Sequence, residues 1–344
     1  MAAERPATEV RSDQAQPRLH ATIGPVPEPP TKPVTSANST SLHVLIPHDE
    51  GLDLMGPLPA GVQVDVWKGT GEPPAGADEV EFLVPPFLDS DDRRGLFARM
   101  PALRVIQTLT AGVDWLVDQV PDGVTLCDAR GVHDISTAEW VVAAMLAAIR
   151  DLPYFARAQA TGEWAYRYTD VLAGKRVLIV GYGSIGAAIE RRLAGFEVQV
   201  DRVARRERDG VAPVEALPEL LPTADVVVLV VPFTPATRGL ANAEFLGRMP
   251  DGALLVNASR GPVVDTDALL AELRSGRLTA ALDVTEPEPL PPGHALWSAP
   301  GLLLTPHVAG STTAFRPLAY RLVREQVERY RTGQPLENVV TDGY

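Results

Sequence analysis

Short runs of β-branched and aliphatic residues recur along the chain from His43 onward, and loops or stretches with helical spacing separate them. Near-continuous apolar runs of this length, alternating with helices, are typical of parallel strands that are covered on both faces. The pattern predicts an α/β fold with two doubly wound, Rossmann-like domains, each built on a parallel sheet. The first series of predicted strands is His43–Ile46, Val62–Trp67, Phe82–Val84, Arg104–Gln107 and Val124–Leu126. The second series is Val177–Val180, Val198–Val203, Val226–Val231, Leu254–Asn257, Ala280–Asp283 and Leu302–Leu304.

A helix that is apolar on every side is predicted at 137–149, between the two series of strands. Such a helix has no polar face for solvent, so we expect it to be buried between domains or between subunits. The preceding residues, Ser136-Thr-Ala-Glu139, have the capping-box pattern, in which the serine hydroxyl and the glutamate carboxylate bond reciprocally to backbone N–H groups. We therefore assign Glu139 a structural rather than a catalytic role.

A final amphipathic helix is predicted at 317–330, beyond the last strand of the second series, and we infer that it returns to the first domain. The predicted division is a flavodoxin-like substrate domain, formed by 42–147 and 308–344, and a dinucleotide-binding Rossmann domain at 148–307. Residues 1–41 hold seven prolines and almost no large apolar side chains. This composition predicts a disordered tail, with a proline-rich docking ligand as the alternative.

The composition narrows the class of protein. The chain has 31 Lys and Arg against 44 Asp and Glu, and the net charge of −13 disfavours binding to nucleic acid or to an anionic membrane. The single cysteine, Cys127, can form neither an internal disulfide nor a zinc cluster, so we predict no metal site and a reducing compartment. No apolar run reaches the roughly 18 residues of a membrane span, and the N-terminus lacks the apolar core of a secretory signal. We expect a cytoplasmic protein.

A glycine-rich turn follows the first strand of the second series and precedes a predicted helix. It reads Gly181-Tyr-Gly183-Ser-Ile-Gly186, which is the spacing of a dinucleotide-binding turn. The first glycine allows the tight turn, the second lets the backbone approach a pyrophosphate, and the third allows close packing of helix on strand. We expect the N–H groups of Ser184 and Ile185 to face the phosphates at the positive end of the helix.

The residue that contacts the adenosine ribose is expected at the carboxyl end of the next strand. Asp201 has the expected residue type, but it lies in the middle of that strand, whereas Ala204, Arg205 and Arg206 stand at its end. Two guanidinium groups suit a 2′-phosphate, which a carboxylate would repel. The sequence therefore favours NADP(H), with NAD(H) as the alternative.

Arg260, Glu288 and His307 follow the fourth, fifth and sixth strands of the second series, at the edge where doubly wound sheets bind ligands. Taken singly, they also fit a surface ion pair, a solvated acid and a buried histidine. Their joint placement after a dinucleotide-binding turn favours a catalytic site. Asp265, which precedes a predicted helix, is interpreted as a helix cap.

From about residue 43 to 340 the sequence resembles the D-isomer-specific 2-hydroxyacid dehydrogenase family, and in particular its glyoxylate/hydroxypyruvate reductases. The glycine turn, Ala-Ser-Arg260-Gly-Pro, Asp283 followed five residues later by Glu288-Pro, and Thr-Pro-His307 occur in the order of that family. The resemblance implies that Arg260, Glu288 and His307 are catalytic. His307 would donate a proton to the keto oxygen, Glu288 would orient the imidazole, and Arg260 would bind the substrate carboxylate.

The resemblance also implies the remaining contacts and the activity. Ala111 and Gly112 would bind the substrate carboxylate through their N–H groups, and the protein would be a homodimer with the helix at 137–149 near the interface. The implied function is an NAD(P)-dependent D-2-hydroxyacid dehydrogenase that reduces a small 2-keto acid, with glyoxylate or hydroxypyruvate favoured. The alternative is a non-catalytic dinucleotide sensor or a protein that acts like a co-repressor. Residues implied to line the cofactor are Val231, Pro232, Thr237, Ala258, Ser259 and Asp283.

Overall fold

A computed structural model describes residues 41–86 and 93–341, which form two parallel sheets. In the first sheet the order is β2-β1-β3-β4-β5, so the chain order reverses between β1 and β3. The register pairs Val44 of β1 with Val64 on one side and with Phe82 on the other. The strands are β1 (Leu42–Ile46), β2 (Val62–Val66), β3 (Phe82–Leu83), β4 (Val105–Gln107) and β5 (Thr125–Cys127).

The second sheet has the order β11-β10-β9-β8-β6-β7, and all of its strand pairs are parallel. A parallel bridge from Val203 to Ala212 extends it beyond β7 by one short segment. The reversal point lies between β6 and β8, and a ligand crevice is expected at the carboxyl ends of these strands. The strands are β6 (Arg176–Val180), β7 (Gln199–Val203), β8 (Val226–Leu229), β9 (Leu254–Asn257), β10 (Thr279–Leu282) and β11 (Leu302–Leu304).

Helices connect the strands and cover the faces of both sheets, as the near-continuous apolar strands require. The Asp265 side chain accepts a hydrogen bond from the Ala268 N–H, which confirms its interpretation as a helix cap. The α-helices are α1 (Glu50–Met55), α2 (Arg94–Phe97), α3 (Asp134–Ile149), α4 (Leu152–Thr161), α5 (Ser184–Leu193), α6 (Leu217–Leu220), α7 (Ala243–Arg248), α8 (Thr266–Ser275) and α9 (Phe315–Arg331).

Helix α9 packs on the first sheet, although it follows the last strand of the second sheet. Tyr320, Val323 and Val327 of α9 have no exposed surface, and they share one apolar core with Val44 of β1 and Val105 of β4. The prediction that the C-terminal helix completes the first domain is confirmed. The fold is therefore two parallel-sheet α/β domains, and the second lies between the two parts of the first along the chain.

Helix α3 packs on the second sheet, where Val141 and Met145 share a core with Val177 and Ile179 of β6. The sequence of this helix, which is apolar on every side, does not indicate which of the two sheets it covers. The predicted domain boundary at 147/148 stays a proposal.

The predicted capping box at the start of α3 is wrong. The helix begins at Asp134, two residues before Ser136, whose hydroxyl donates to the His133 carbonyl 3.3 Å away. The Glu139 side chain is 66% exposed and lies 3.5 Å from Arg192 on α5. The tetrapeptide matches the motif, but the two residues before it also adopt helical geometry, so Ser136 is no longer the cap.

The predicted tail, residues 1–41, lies outside the described residues except for Ser41. Within the described ranges, no helix combines the length and the apolar character that crossing a membrane requires.

We expect the packing of α3 to contribute strongly to stability. Met145 has no exposed surface, so Met145→Ala should lower the free energy of unfolding by about 2–5 kcal/mol. The matched control is Glu139→Ala on the same helix, which should change it by less than about 0.5 kcal/mol because the side chain is exposed. Urea unfolding followed by circular dichroism measures both. Equal losses would show that α3 does not pack as described.

Candidate functional site

Three loops that leave adjacent parallel strands bring the predicted catalytic residues together. Arg260 follows β9, Glu288 follows β10 and His307 follows β11, and these strands are neighbours in the second sheet. A Cβ built on Gly261 would lie 1.9 Å from the Thr285 carbonyl oxygen, so the first loop packs directly against the second. The sheet order therefore places all three side chains at one edge.

Glu288 holds the imidazole of His307. The Nδ1 atom of His307 lies 2.6 Å from Oε1 of Glu288, and the Thr285 N–H donates to Oε2 at 3.4 Å. Burial alone would raise the pKa of Glu288, but the hydrogen bond and charge of His307, with Thr285 and Arg260, lower it below its usual value. Glu288 is therefore a carboxylate at neutral pH, and the Nε2 atom of His307 is the ring nitrogen left for a substrate.

The backbone at His307 adopts a left-handed conformation that a non-glycine residue rarely takes, with φ 54°. Its N–H donates to the Asp283 carbonyl at 2.7 Å. The Asp283 carboxylate, 2% exposed, accepts from the Thr305 hydroxyl at 2.6 Å and from the Val308 and Ala309 N–H groups at 2.8 Å each. Asp283 thus fixes the loop that carries His307, while its implied place in the lining of the cofactor stays a prediction.

Arg260 reaches from the second domain to the turn of the first domain that contains Ala111 and Gly112. A Cβ built on Gly112 would lie 1.9 Å from Nη2 of Arg260, so the guanidinium lies directly against the backbone of this glycine. Asp114 lies 3.2 Å from the same nitrogen, and the Arg260 Nη1 group donates to the Ser259 carbonyl at 2.8 Å. These contacts place a cation beside the backbone turn that was predicted to bind the carboxylate.

Asp114 is a residue of this site that we did not assign from the sequence. It forms an ion pair with a residue 146 positions away, which no local pattern reveals. The available signal was an acidic residue two positions after the predicted carboxylate-binding turn.

The glycine turn after β6 has the geometry that a dinucleotide needs. Gly181 has φ 102°, and a Cβ on it would lie 2.5 Å from the Val230 carbonyl oxygen. A Cβ on Gly186 would lie 3.1 Å from the Gly181 carbonyl oxygen, whereas one on Gly183 would meet no described atom within 4 Å. The space at Gly183 and the N–H groups of Ser184 and Ile185 at the start of α5 fit a pyrophosphate.

Asp134 at the start of α3 contacts this turn, and the sequence did not reveal it. The Ser184 hydroxyl donates to Oδ1 of Asp134 at 2.9 Å, and burial raises the pKa of that carboxyl group. The contact joins α3, which lies between β5 and β6 along the chain, directly to the glycine turn.

The end of β7 carries the cations that were predicted to distinguish the two dinucleotides. Asp201 forms an ion pair with Arg176 at 3.1 Å within the sheet, which agrees with its exclusion as the ribose contact. Arg205 and Arg206 are exposed beyond the strand. A third arginine, Arg208, was not assigned from the sequence. Its guanidinium donates to the backbone carbonyl of Tyr182 and lies 5.7 Å from the centroid of the Tyr182 ring.

The remaining predicted cofactor contacts lie at the same edge of the sheet. Thr237 donates to the Pro232 carbonyl at 2.7 Å in the loop after β8. Ser259 donates to Oδ1 of Asn257 at 2.5 Å in the loop after β9. Ala204 at the end of β7, Val231 after β8 and Ala258 after β9 complete this edge, and all of these roles stay predictions. Among the residues that the structure describes, no group of three or more His, Cys, Asp or Glu side chains could hold a metal ion.

Comparison with known proteins agrees with this geometry. A family model described as the NAD binding domain of D-isomer specific 2-hydroxyacid dehydrogenases matches residues 142–309. A human protein named glyoxylate reductase/hydroxypyruvate reductase is 35% identical over 262 residues, which are 72% of this chain and 80% of the relative.

Solved structures give the same result over more of the chain. A D-isomer specific 2-hydroxyacid dehydrogenase from Xanthobacter autotrophicus Py2, in complex with NADPH and MES, is 35% identical with a TM-score of 0.76. The match covers 88% of this chain and 98% of that one. An NADPH-dependent glyoxylate/hydroxypyruvate reductase from Sinorhizobium meliloti, in complex with NADP and sulfate, is 29% identical with a TM-score of 0.74, covering 87% and 98%.

The fold, the position of the glycine turn and the relatives agree with one another. The non-catalytic alternative is not favoured, because these relatives are named as reductases or dehydrogenases and Arg260, Glu288 and His307 meet at one edge. The chain belongs to the D-isomer-specific 2-hydroxyacid dehydrogenase family and is an NAD(P)-dependent oxidoreductase that acts on the CH–OH group of hydroxy acids.

Proposed function

We propose that the protein is a reductase of small 2-keto acids, such as glyoxylate or hydroxypyruvate, that prefers NADPH over NADH. The observation that carries the proposal is the 2.6 Å contact between His307 Nδ1 and Glu288 Oε1, next to an arginine that lies against the Gly112 turn. The human and Sinorhizobium relatives, which are named for these substrates, support the substrate class. The proposal keeps 42–147 with 308–344 as the substrate domain and 148–307 as the dinucleotide-binding domain.

The residues divide the chemistry of the reaction between them. Reduction of a keto group builds negative charge on its oxygen, and His307 donates a proton to that oxygen from Nε2. Glu288 stabilises the imidazolium before transfer and holds the ring orientation. Arg260, with the N–H groups of Ala111 and Gly112, binds the substrate carboxylate and polarises the keto group. The nicotinamide, when bound, supplies the hydride to the substrate carbon.

The His307→Gln variant tests the proposed acid. Glutamine keeps a polar group but cannot transfer the proton, so kcat for glyoxylate reduction should fall by about 100-fold or more. NADPH affinity, followed by fluorescence titration, should change by less than about threefold because the ring contacts the substrate. The matched control is His294→Gln, in the loop before β11, which should keep normal turnover. Near-normal turnover of His307→Gln would remove this residue from the mechanism.

The preference for NADPH is proposed from the cations after β7. Arg205 and Arg206 are exposed there, and Arg208 is held against Tyr182 of the glycine turn. A 2′-phosphate at this position would meet guanidinium groups, and Asp201 within the strand is already paired with Arg176.

We expect the Arg205→Ala/Arg206→Ala double variant to raise the KM for NADPH by about tenfold or more, since charge-assisted hydrogen bonds are worth roughly 1.5–3 kcal/mol each. The KM for NADH should change by less than about threefold, because NADH lacks the phosphate. Steady-state kinetics with both cofactors measure the difference, and Arg274→Ala on α8 serves as the control. Equal losses with both cofactors would place the ribose-binding residues elsewhere.

We also propose a homodimer. The segment that follows α4 exposes large aromatic side chains, with Trp164 95%, Tyr166 77% and Tyr168 90% exposed. Leu152 at the start of α4 and Val171 beyond the aromatic residues are also more than half exposed. Exposed aromatic and aliphatic side chains grouped along one segment are typical of an interface, and a second copy of the chain offers a self-complementary partner. The surface begins directly after α3, near which the interface was predicted.

The Trp164→Ser/Tyr168→Ser double variant should shift the protein from dimer to monomer in sedimentation velocity experiments, because large aromatic side chains contribute most to such interfaces. Trp297→Ser, at a tryptophan that is 56% exposed in the loop before β11, is the matched control and should remain dimeric. A wild-type protein that sediments as a monomer at micromolar concentration would contradict the proposal.

A cytoplasmic location is part of the same proposal. Cys127 is buried and is not in a disulfide, and burial raises the pKa of its thiol to about 12. The thiol therefore stays protonated, as expected for a structural cysteine in a reducing compartment.

A further inference from the structure

A cleft at the carboxyl edge of the first sheet has no role in the mechanism proposed above for His307, Glu288 and Arg260. Its inner part has a volume of about 120 Å³, and its outer part has a volume of about 340 Å³. The two parts share Pro47, His48 and Arg316, so they form one continuous cleft. It lies at the point where the order of the first sheet reverses, between the loops that follow β1 and β3.

The inner part adjoins the proposed carboxylate-binding turn. Thr110 and Trp115 line it and flank Gly112 in the sequence. The Thr110 hydroxyl and the Trp115 indole N–H both donate to the Gly112 carbonyl, at 2.9 and 3.1 Å. Phe315, which lines another side, follows His307 by eight positions. The Gly112 turn, which is proposed to hold the substrate carboxylate, therefore adjoins this part of the cleft.

The walls of the inner part are mostly apolar. Pro47 and Pro85 are buried, Leu109 is 6% exposed, and the rings of Trp115 and Phe315 complete the walls. An apolar cavity of roughly 150 Å³ is known to accommodate a benzene molecule, so 120 Å³ with an open outer end suits one six-membered ring. Glyoxylate has a hydrogen atom in the position where other 2-keto acids carry a side chain, and it would leave this space unfilled.

The cations of the outer part are already paired. Lys68 Nζ lies 2.6 Å from Asp49 Oδ2, and Arg316 forms an ion pair with Glu50. A phosphate or a second carboxylate on the substrate would have to compete with Asp49 and Glu50 for these cations. Since Asp49 and Glu50 balance the charges of Lys68 and Arg316, the cleft offers no net attraction for an anionic substituent and suits a neutral one.

His48 lies where the inner and outer parts meet. Its Nδ1 atom is 2.8 Å from the hydroxyl of Tyr320, a residue with no exposed surface, and burial raises the pKa of that phenol. Among the described residues, the Nε2 atom of His48 has no hydrogen-bond partner. This nitrogen is therefore available for a polar group at the far end of a ring.

We propose that the preferred substrates are 2-keto acids whose side chain is one neutral six-membered ring, with the ring in the inner part and a polar para group beside His48. Arylpyruvates have this chemistry. The inference rests on the proposed 2-keto acid reductase function, and it places arylpyruvates above glyoxylate and hydroxypyruvate as the preferred substrates.

The wild-type protein with NADPH tests the inference directly. The value of kcat/KM for phenylpyruvate should exceed that for glyoxylate by about tenfold or more, because the ring leaves water on binding. A para hydroxyl should add about threefold through a hydrogen bond to His48. Anionic analogues, namely oxaloacetate and 3-phosphohydroxypyruvate, should give lower kcat/KM than phenylpyruvate. A second measurement needs no variant: D-phenyllactate should inhibit glyoxylate reduction with a Ki about tenfold below that of D-lactate.

Two variants test the residues of the cleft through ratios that cancel a general loss of activity. Leu109→Phe fills the inner part and should lower the phenylpyruvate to glyoxylate ratio of kcat/KM by about tenfold. His48→Leu should abolish the advantage of the para hydroxyl and keep most of that of the ring, while His294→Leu should change neither ratio.

The outcomes separate the two proposals. Turnover of glyoxylate or pyruvate without any preference for arylpyruvates, or a preference for the anionic analogues, would overturn the inference and leave the reductase function intact. Absence of turnover with every 2-keto acid, despite NADPH binding, would overturn both.

Discussion

The buried carboxylate of Asp283 determines where His307, the proposed proton donor, lies. The carboxylate accepts three hydrogen bonds from the loop that carries His307. The backbone carbonyl of Asp283 accepts a fourth from the His307 N–H. A buried carboxylate is costly unless such donors satisfy it, and here the same donors hold the residue at a positive φ. The resulting loop presents the imidazole to Glu288, and the site depends on that geometry.

Because β9, β10 and β11 are adjacent and parallel, the proximity of Arg260, Glu288 and His307 could be predicted from their positions after three strands. Because adjacent parallel strands end at one edge, each loop needs to carry only one functional side chain, and the sheet brings them together. The same edge collects the cations of a chain whose net charge is −13. Arg260 lies beside the Gly112 turn, and Arg205, Arg206 and Arg208 lie beyond β7, so cations stand at both of the proposed anion-binding positions.

The parts of the fold that local patterns encode were predictable. Every described strand falls within one or two residues of its predicted position, because strands buried on both faces are continuous apolar runs. The glycine turn was equally readable, since Gly181 and Gly186 have the positive φ and the close approach that their spacing indicates. The start of α3 was missed, because the two residues before Ser136 also adopt helical geometry.

The contacts that sequence reasoning missed all join distant parts of the chain. The carboxylate of Asp114 meets Arg260, that of Asp134 meets Ser184, and the His48 imidazole meets Tyr320. Each pairing depends on how the two domains or the last helix pack, and residue type alone does not identify it. Arg208 differs, since it lies two positions beyond a predicted pair of arginines and only its contact with Tyr182 shows its orientation.

The position of α9 has a consequence for synthesis of the protein. The strands β1 to β5 leave the ribosome early, but α9, which packs on Val44, Phe82 and Val105, is translated after every strand of the second sheet. Since β6 to β11 and the helices between them precede it, the second sheet can acquire its full cover during translation. One apolar face of the first sheet lacks this cover until α9 has been translated, so the N-terminal domain can be completed only after all strands of the second sheet have been made.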